Sequence, residues 1–220
     1  MSKSEQYDSD CQRCPRLVEY LAEVKQQQPD YWCKPVPAIG PADAPLLVVG
    51  LAPGLHGANR TGRPFSGDQS GTLLNQALTS AGFCWPGDSP AGDSAQGNST
   101  GPGSETQTDC RITNAVKCLP PQNRPIRGEV RHCNGYLQAE LAALPEGGVV
   151  LVLGRVAHEA VLLAAGRTIR ELPFAHGACG KLGPNWLLSS YHCSRYNIQT
   201  RRLTSEAFHA LVLDAKALLN

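Results

Sequence analysis

Two short apolar runs set the strongest limit on how this chain can fold. Leu46-Leu47-Val48-Val49 closes on Gly50, and Val149-Val150-Leu151-Val152-Leu153 closes on Gly154. Neither run alternates with polar residues, so neither strand can leave one face in water. Strands of this kind belong in a parallel sheet covered by helices on both sides. Two more strands are expected, over residues 111–116 and over 186–191, the latter running into His192. Helical stripes separate them. Leu17, Leu21 and Val24 follow Pro15, which suits a first helical position; Leu73, Leu74, Ala77 and Leu78 mark residues 70–81. Val130, Cys133, Leu137, Leu141 and Leu144 form one stripe over 126–144, and residues 156–165 make a short apolar helix. A last helix over 204–219 starts with Thr204 as N-cap, with Leu203 placed to staple against Phe208. The alternation reads as an α/β fold, a three-layer α/β/α sandwich around a central, mainly parallel four-stranded sheet.

With 220 residues and 41% hydrophobic content, one globular domain over residues 1–220 is expected. Residues 85–109 are almost all Gly, Ser, Asp, Pro, Thr and Gln, and read as a flexible surface insertion. Twenty basic and 19 acidic residues leave a net charge of +1, so any nucleic-acid binding must rest on local patches. The N-terminus has no charged and apolar leader pattern, and no apolar run is long enough to span a bilayer. A cytoplasmic, monomeric protein without a membrane partner is expected. Nine cysteines are too few for a disulfide scaffold and odd in number. In a reducing compartment, paired thiols point to metal before disulfide.

Cys11 and Cys14 form a CxxC pair, and Cys118 and Cys133 lie about a hundred residues downstream. Four thiols in two pairs meet the needs of a tetrahedral metal site or an iron–sulfur cubane. Either centre would staple the N-terminus onto the middle of the fold, and spacing alone leaves the metal open.

Ligands of open parallel sheets bind beyond the carboxyl ends of the strands. Gly50-Leu51-Ala52-Pro53-Gly54 follows the first strand, Thr113-Asn114 ends the second, and His192 ends the fourth. A glycine loop, an amide and an imidazole therefore converge on one edge, although each alone has an ordinary structural reading. Phe65, in a glycine-flanked loop, is either a core plug or a platform for a planar ring. Asp68 stands where a helix begins, as an N-cap or as a carboxylate aimed into the pocket. Residues 190–197 read as an exposed loop with Arg195 beside Tyr196 and Asn197, and with Arg201 and Arg202 close behind. Such a loop suits phosphate contact and insertion into a base stack. Lys117, Arg124, Arg127 and Arg131 form a second basic group.

The motifs CQRCPRLVEY, YWCKPVPAIG, GLAPGLHGANRTGRPFSGD, ITNAVKCLPPQNRP and SYHCSRYNIQTRRLT occur in that order. Together they resemble the uracil-DNA glycosylase superfamily, in its iron–sulfur branches, and most of all its fifth family, type b. The resemblance covers nearly the whole chain outside residues 85–109. It implies a 4Fe-4S cluster on Cys11, Cys14, Cys118 and Cys133, leaving the other five cysteines as non-ligands. It implies damaged DNA as partner, and an enzyme that flips a deaminated base out of DNA and cuts its glycosidic bond. Gly50, Leu51, Ala52, Gly54, Phe65 and Asn114 would form the base pocket, with Phe65 stacking on the base and Asn114 on its Watson–Crick edge. Asp68, Asn114 and His192 would be catalytic, His192 donating toward the base oxygen. Arg195, Tyr196, Asn197, Arg201 and Lys117 would contact DNA, with Arg195 or Tyr196 filling the gap in the stack. The fourth family, type a, has Glu in GEAPG where this chain has Leu51, and an apolar residue cannot orient water. The fifth family shares that apolar residue, and the resemblance to it implies Asp68 as the substitute carboxylate. Cys193 replaces the more usual proline after the histidine. A less polar, less demanding pocket would suit the broader base range that the resemblance to the fifth family implies, including hypoxanthine. Two other readings remain beside it: a non-catalytic iron–sulfur DNA-binding or redox-sensing module, and a zinc-stapled hydrolase of free nucleosides.

Overall fold

Every residue of β1 (Leu46–Gly50) and of β3 (Val149–Leu153) is buried. Their side chains alternate between two separate cores, as strand geometry requires. Leu46, Val48, Val149, Leu151 and Leu153 enter one, and Leu47, Val49, Val150 and Val152 enter the other. The computed structural model describes residues 7–84 and 108–220. Among them, β2 (Cys110–Asn114), β4 (Cys179–Leu182) and β5 (Asn185–Ser190) complete a sheet in the order β2-β1-β3-β5-β4. The first four strands in that order are parallel. Their carboxyl ends, at Gly50, Asn114, Leu153 and Ser190, therefore share one edge.

Among the described residues the sheet has five strands, one more than expected. The additional strand, β4, pairs antiparallel with β5 at the sheet edge. Its sequence, CGKL, has only Leu182 buried, so it carries no apolar run. Lys181 Nζ lies 3.6 Å from the centre of the Trp186 ring, keeping a charge on that edge.

Helices α3 (Gln69–Ser80) and α7 (Ser205–Ala217) cover one face through Leu74, Ala77, Leu78, Phe208, Leu211 and Val212. Thr204 caps α7 by accepting from Ala207 N, and Leu203 is buried with Phe208 in the same core. The other face is covered by α4 (Arg127–Ala143) and α5 (Arg155–Ala164). A third, smaller core joins α1 (Pro15–Gln27) to the segment after β2, through Leu17, Leu21, Val24, Val116, Leu119 and Cys133. The Arg16 guanidinium grips both oxygens of Glu129 at 2.8 Å, tying α1 to α4. Burial would raise the Glu129 pKa, but Arg16 and the Ile126 N–H hold it below the usual carboxylate range. Two short helices, α2 (Ala58–Thr61) and α6 (Arg195–Gln199), occupy what the sequence suggests as loops.

Residues 85–107 of the expected insertion lie outside the described residues. Its last residue, Asp109, accepts from Cys84 N at 2.9 Å and pairs with Lys216 at 2.8 Å. No helix among the described residues is long and apolar enough to cross a membrane.

Lys117 is only 1% exposed. Its ammonium donates to Thr113 Oγ1 and to both Glu140 oxygens, at 2.8 and 3.1 Å. Thr113 Oγ1 in turn donates to Glu140 Oε1 at 3.0 Å. Removing one partner of a buried ion pair strands the other charge. Glu140→Leu should therefore lower the unfolding free energy by about 3–5 kcal/mol in urea melts, and the Lys117→Met/Glu140→Leu pair should recover most of it. Equal losses in the single and double variants would contradict this.

Candidate functional site

The chain leaves β1 at Gly50, passes through Leu51-Ala52-Pro53-Gly54 and α2, and returns over the strand ends with residues 61–68. Phe65 on this return is 8% exposed and adopts φ +52°, a conformation that non-glycine residues seldom take. Two glycines make room for it. A Cβ on Gly71 would come within 2.0 Å of the Phe65 carbonyl oxygen, and one on Gly50 within 2.6 Å of its ring. The Gly50 Cβ would also lie 2.5 Å from Asn114 Oδ1. Gly50 and Asn114 are register partners in the sheet, so Phe65 and Asn114 meet over a position with no side chain.

Asp68 does two things at once. Its Oδ1 accepts from Gly71 N at 2.9 Å, capping α3. Its Oδ2 faces Gly54 and Gly57, where a Cβ would lie 3.4 and 2.5 Å from that oxygen. His192 follows β5, and its ring stacks with Phe65 at 6.1 Å between centroids and 23° between planes. Burial pushes the His192 pKa down, with the Asp68 charge pulling the other way, so the imidazole is neutral at pH 7. A neutral ring keeps one N–H to donate.

These residues line a cavity of about 410 Å³. Leu51, Ala52, Gly54, Phe65, Asp68, Asn114 and His192 all reach it. Gly50 is buried beneath Phe65 and Asn114 and does not line it. Asn114, 3% exposed, makes no side-chain hydrogen bond among the described residues, and neither does the His192 ring. Two polar heads thus face the cavity unpartnered, beside the uncommitted oxygen of Asp68.

The expected DNA-contacting residues separate into two groups. Arg195, Tyr196 and Arg201 are exposed, Tyr196 at 70%. They stand on or just after α6, whose N-cap Ser194 also lines the cavity. Asn197 is turned inward, donating from Nδ2 to the His192 carbonyl at 2.8 Å, so it braces His192. Lys117 belongs to the buried pair with Glu140 and is not on the surface. Arg202 is engaged over the Tyr191 ring at 4.5 Å.

Sequence reasoning missed part of the wall. Gly154, Arg155, Val156 and Ala157, at the N-terminus of α5, also line the cavity. The signal was available: a glycine between a buried strand and a helix places free N–H groups at the sheet edge. Asn123, at φ +55° in a tight turn after Pro120, lines it too, and nothing in its sequence context singled it out.

Three of the four paired cysteines belong to the third core or its edge. Cys118 and Cys133 are buried in it, Cys14 packs against it, and all are free thiols, as is Cys11. Burial, then Cys133, Cys11 and Cys14 in turn, push the Cys118 pKa up, which places the four sulfurs in mutual electrostatic range. Burial raises Cys14 to about 11. Burial works in the same direction on Cys11, but hydrogen bonds from Arg13 and Tyr136 outweigh it and lower its pKa. Among the described residues, no three His, Cys, Asp or Glu side chains converge as a metal-holding group.

The family model described as the Uracil DNA glycosylase superfamily matches residues 37–216. A protein of Thermus thermophilus named Type-5 uracil-DNA glycosylase is 42% identical over 214 residues, covering 94% of this chain and 93% of the relative. One of the same name from Pyrobaculum aerophilum is 40% identical over 212 residues, with 94% and 88% covered. A Type-4 uracil-DNA glycosylase of Archaeoglobus fulgidus is 34% identical over 123 residues, with 56% and 49% covered. With the family model matching most of its length and a relative 42% identical over 94% of it, the chain belongs to the uracil-DNA glycosylase superfamily.

Proposed function

We propose that the protein is a monofunctional uracil-DNA glycosylase that extrudes a deaminated nucleotide from DNA and hydrolyses the bond between base and deoxyribose. The observation that carries this is the meeting of Asp68, Asn114 and His192 with Phe65 in one cavity. The names of the relatives support it.

Phe65 offers its ring face to the extruded base, and the Asn114 amide, with donor and acceptor, reads the Watson–Crick edge. As the C1′–N bond breaks, its electron pair goes to the base and positive charge develops on the sugar. The neutral His192 N–H donates to the base oxygen on which the negative charge collects. Asp68 Oδ2 orients a water, takes its proton as the oxygen bonds to C1′, and offsets the sugar's charge. Capping fixes this carboxylate, because Oδ1 is committed to Gly71 N. Leu51 and Ala52 leave one wall apolar, and about 410 Å³ has room for a purine, so hypoxanthine is a second substrate in this reading. Arg195, Tyr196 and Arg201 contact the DNA, one of the first two filling the vacated place in the stack.

Cys11, Cys14, Cys118 and Cys133 fit a 4Fe-4S cluster by donor chemistry: four free thiols that feel one another's charge, with N–H groups of Lys117 and Arg13 directed at Cys133 and Cys11. The cluster would contribute no reacting atom and would tie the N-terminal segment to the end of β2.

Incubation with a uracil-containing duplex, followed by alkali, should reveal strand breaks at uracil; intact DNA with uracil and hypoxanthine alike would refute the reading. Asp68→Asn should keep DNA affinity and slow single-turnover release by about a hundred-fold or more. In an NMR titration, His192 should titrate below 6.5 and lower still in Asp68→Asn, since the variant removes the one charge that raises it. An unmoved midpoint would contradict the pairing. The purified protein should be brown with broad visible absorption, and Cys133→Ala should lose both colour and thermal stability; a colourless protein holding a single zinc would overturn the cluster assignment.

A further inference from the structure

A second cavity, of about 370 Å³, opens between α3 and α6. Sequence neighbours on two separate segments line the two cavities. On α3, Ser70 lines the first and Gln69 the second. After β5, Ser194 lines the first and Cys193 the second. The Cys193 thiol donates to the Ser70 carbonyl at 3.6 Å, joining these two segments. A proline at this position could not make that bond, so the departure from the usual residue has a visible structural consequence.

The second cavity has an apolar floor and a polar rim. Cys193 is buried and Leu73 and Ile198 are half-buried at its base. Gln69 and Gln76 rise from α3 two turns apart, on one face of the helix, and Arg195 and Gln199 rise from α6 one turn apart. All four rim side chains are exposed, and none makes a hydrogen bond among the described residues.

We infer that this cavity seats the base of the nucleotide adjacent to the extruded one, on the same strand. The inference rests on the proposed glycosylase reading. Extrusion of one base exposes a face on each of its two neighbours; the inserted side chain covers one, and the apolar floor beside the lesion cavity covers the other. The three rim amides each carry a donor and an acceptor, so they serve the edge of any of the four bases. Arg195 adds a cation beside the phosphate that links the two nucleotides. The site therefore adds affinity at the flanking position without demanding one sequence.

The test uses duplexes in which the lesion is 2′-fluoro-deoxyuridine, whose glycosidic bond resists cleavage, with 2-aminopurine as its 5′ neighbour, its 3′ neighbour or on the opposite strand. Binding of the full chain should change the emission of one lesion-strand neighbour and leave the opposite strand unaffected. The Gln76→Ala/Gln199→Ala variant, altered only at exposed positions, should weaken that change, and Leu73→Trp, which fills the floor, should abolish it. Both should raise KM for ordinary uracil duplexes by about tenfold with a smaller effect on kcat. No response from either lesion-strand neighbour, a response from the opposite strand alone, or unchanged emission and KM in both variants would overturn the inference. Failure of the wild-type protein to release uracil would sink the glycosylase reading separately, because the fluorescence needs no cleavage.

Discussion

Phe65 is held at φ +52° between two glycines, Gly71 under its carbonyl and Gly50 under its ring. A left-handed conformation at a bulky residue costs about 1–3 kcal/mol and persists only when its surroundings leave no alternative. Here the surroundings are the N-terminus of α3 and the carboxyl end of β1. The same turn delivers Asp68 to the helix N-cap, so one Gly71 both admits the Phe65 carbonyl and donates to the Asp68 carboxylate. The aromatic face and the carboxylate are thereby positioned by a single piece of backbone.

Asn114 is fixed from the other side. Gly50 accepts from Ala115 N at 2.9 Å and Leu51 from Val116 N at 3.0 Å, which continues the β1–β2 pairing past the strand ends. Beneath it, Thr113 joins the buried Lys117–Glu140 pair, anchoring β2 to α4. The helix that receives this anchor also carries Cys133 and the Glu129 that grips α1. A cluster on the four cysteines would therefore brace the amide from a distance, through the two helices, while the reacting atoms stay at the sheet edge.

The strands and most helices were legible because their signals are local: unbroken apolar runs, a stripe every third or fourth residue, Thr204 before an apolar segment. Asp68 was legible as a cap for the same reason. The edge strand β4 was not, because a strand paired on one side only and facing water on most of its surface needs no apolar run. Lys117 misled for a different cause. A lysine in a row of cations reads as surface, and only the fold brings Glu140, 23 positions away, into contact with it. Gly71 inside the helical stripe was a readable hint of close packing, yet its partner, the carbonyl of a strained phenylalanine, depends on tertiary geometry. The cavity wall at the start of α5 follows from strand–glycine–helix order and was overlooked.

A side-chain-free position under Phe65 and Asn114 makes the site, and Gly50→Ala tests this directly. The added methyl would strike only the Asn114 and Phe65 side chains at the three closest approaches, leaving the sheet backbone intact. Single-turnover release of uracil, measured beside circular dichroism and thermal melting, decides the matter. The account predicts a folded protein that releases uracil about a hundred-fold more slowly. A folded variant with the wild-type rate would contradict it.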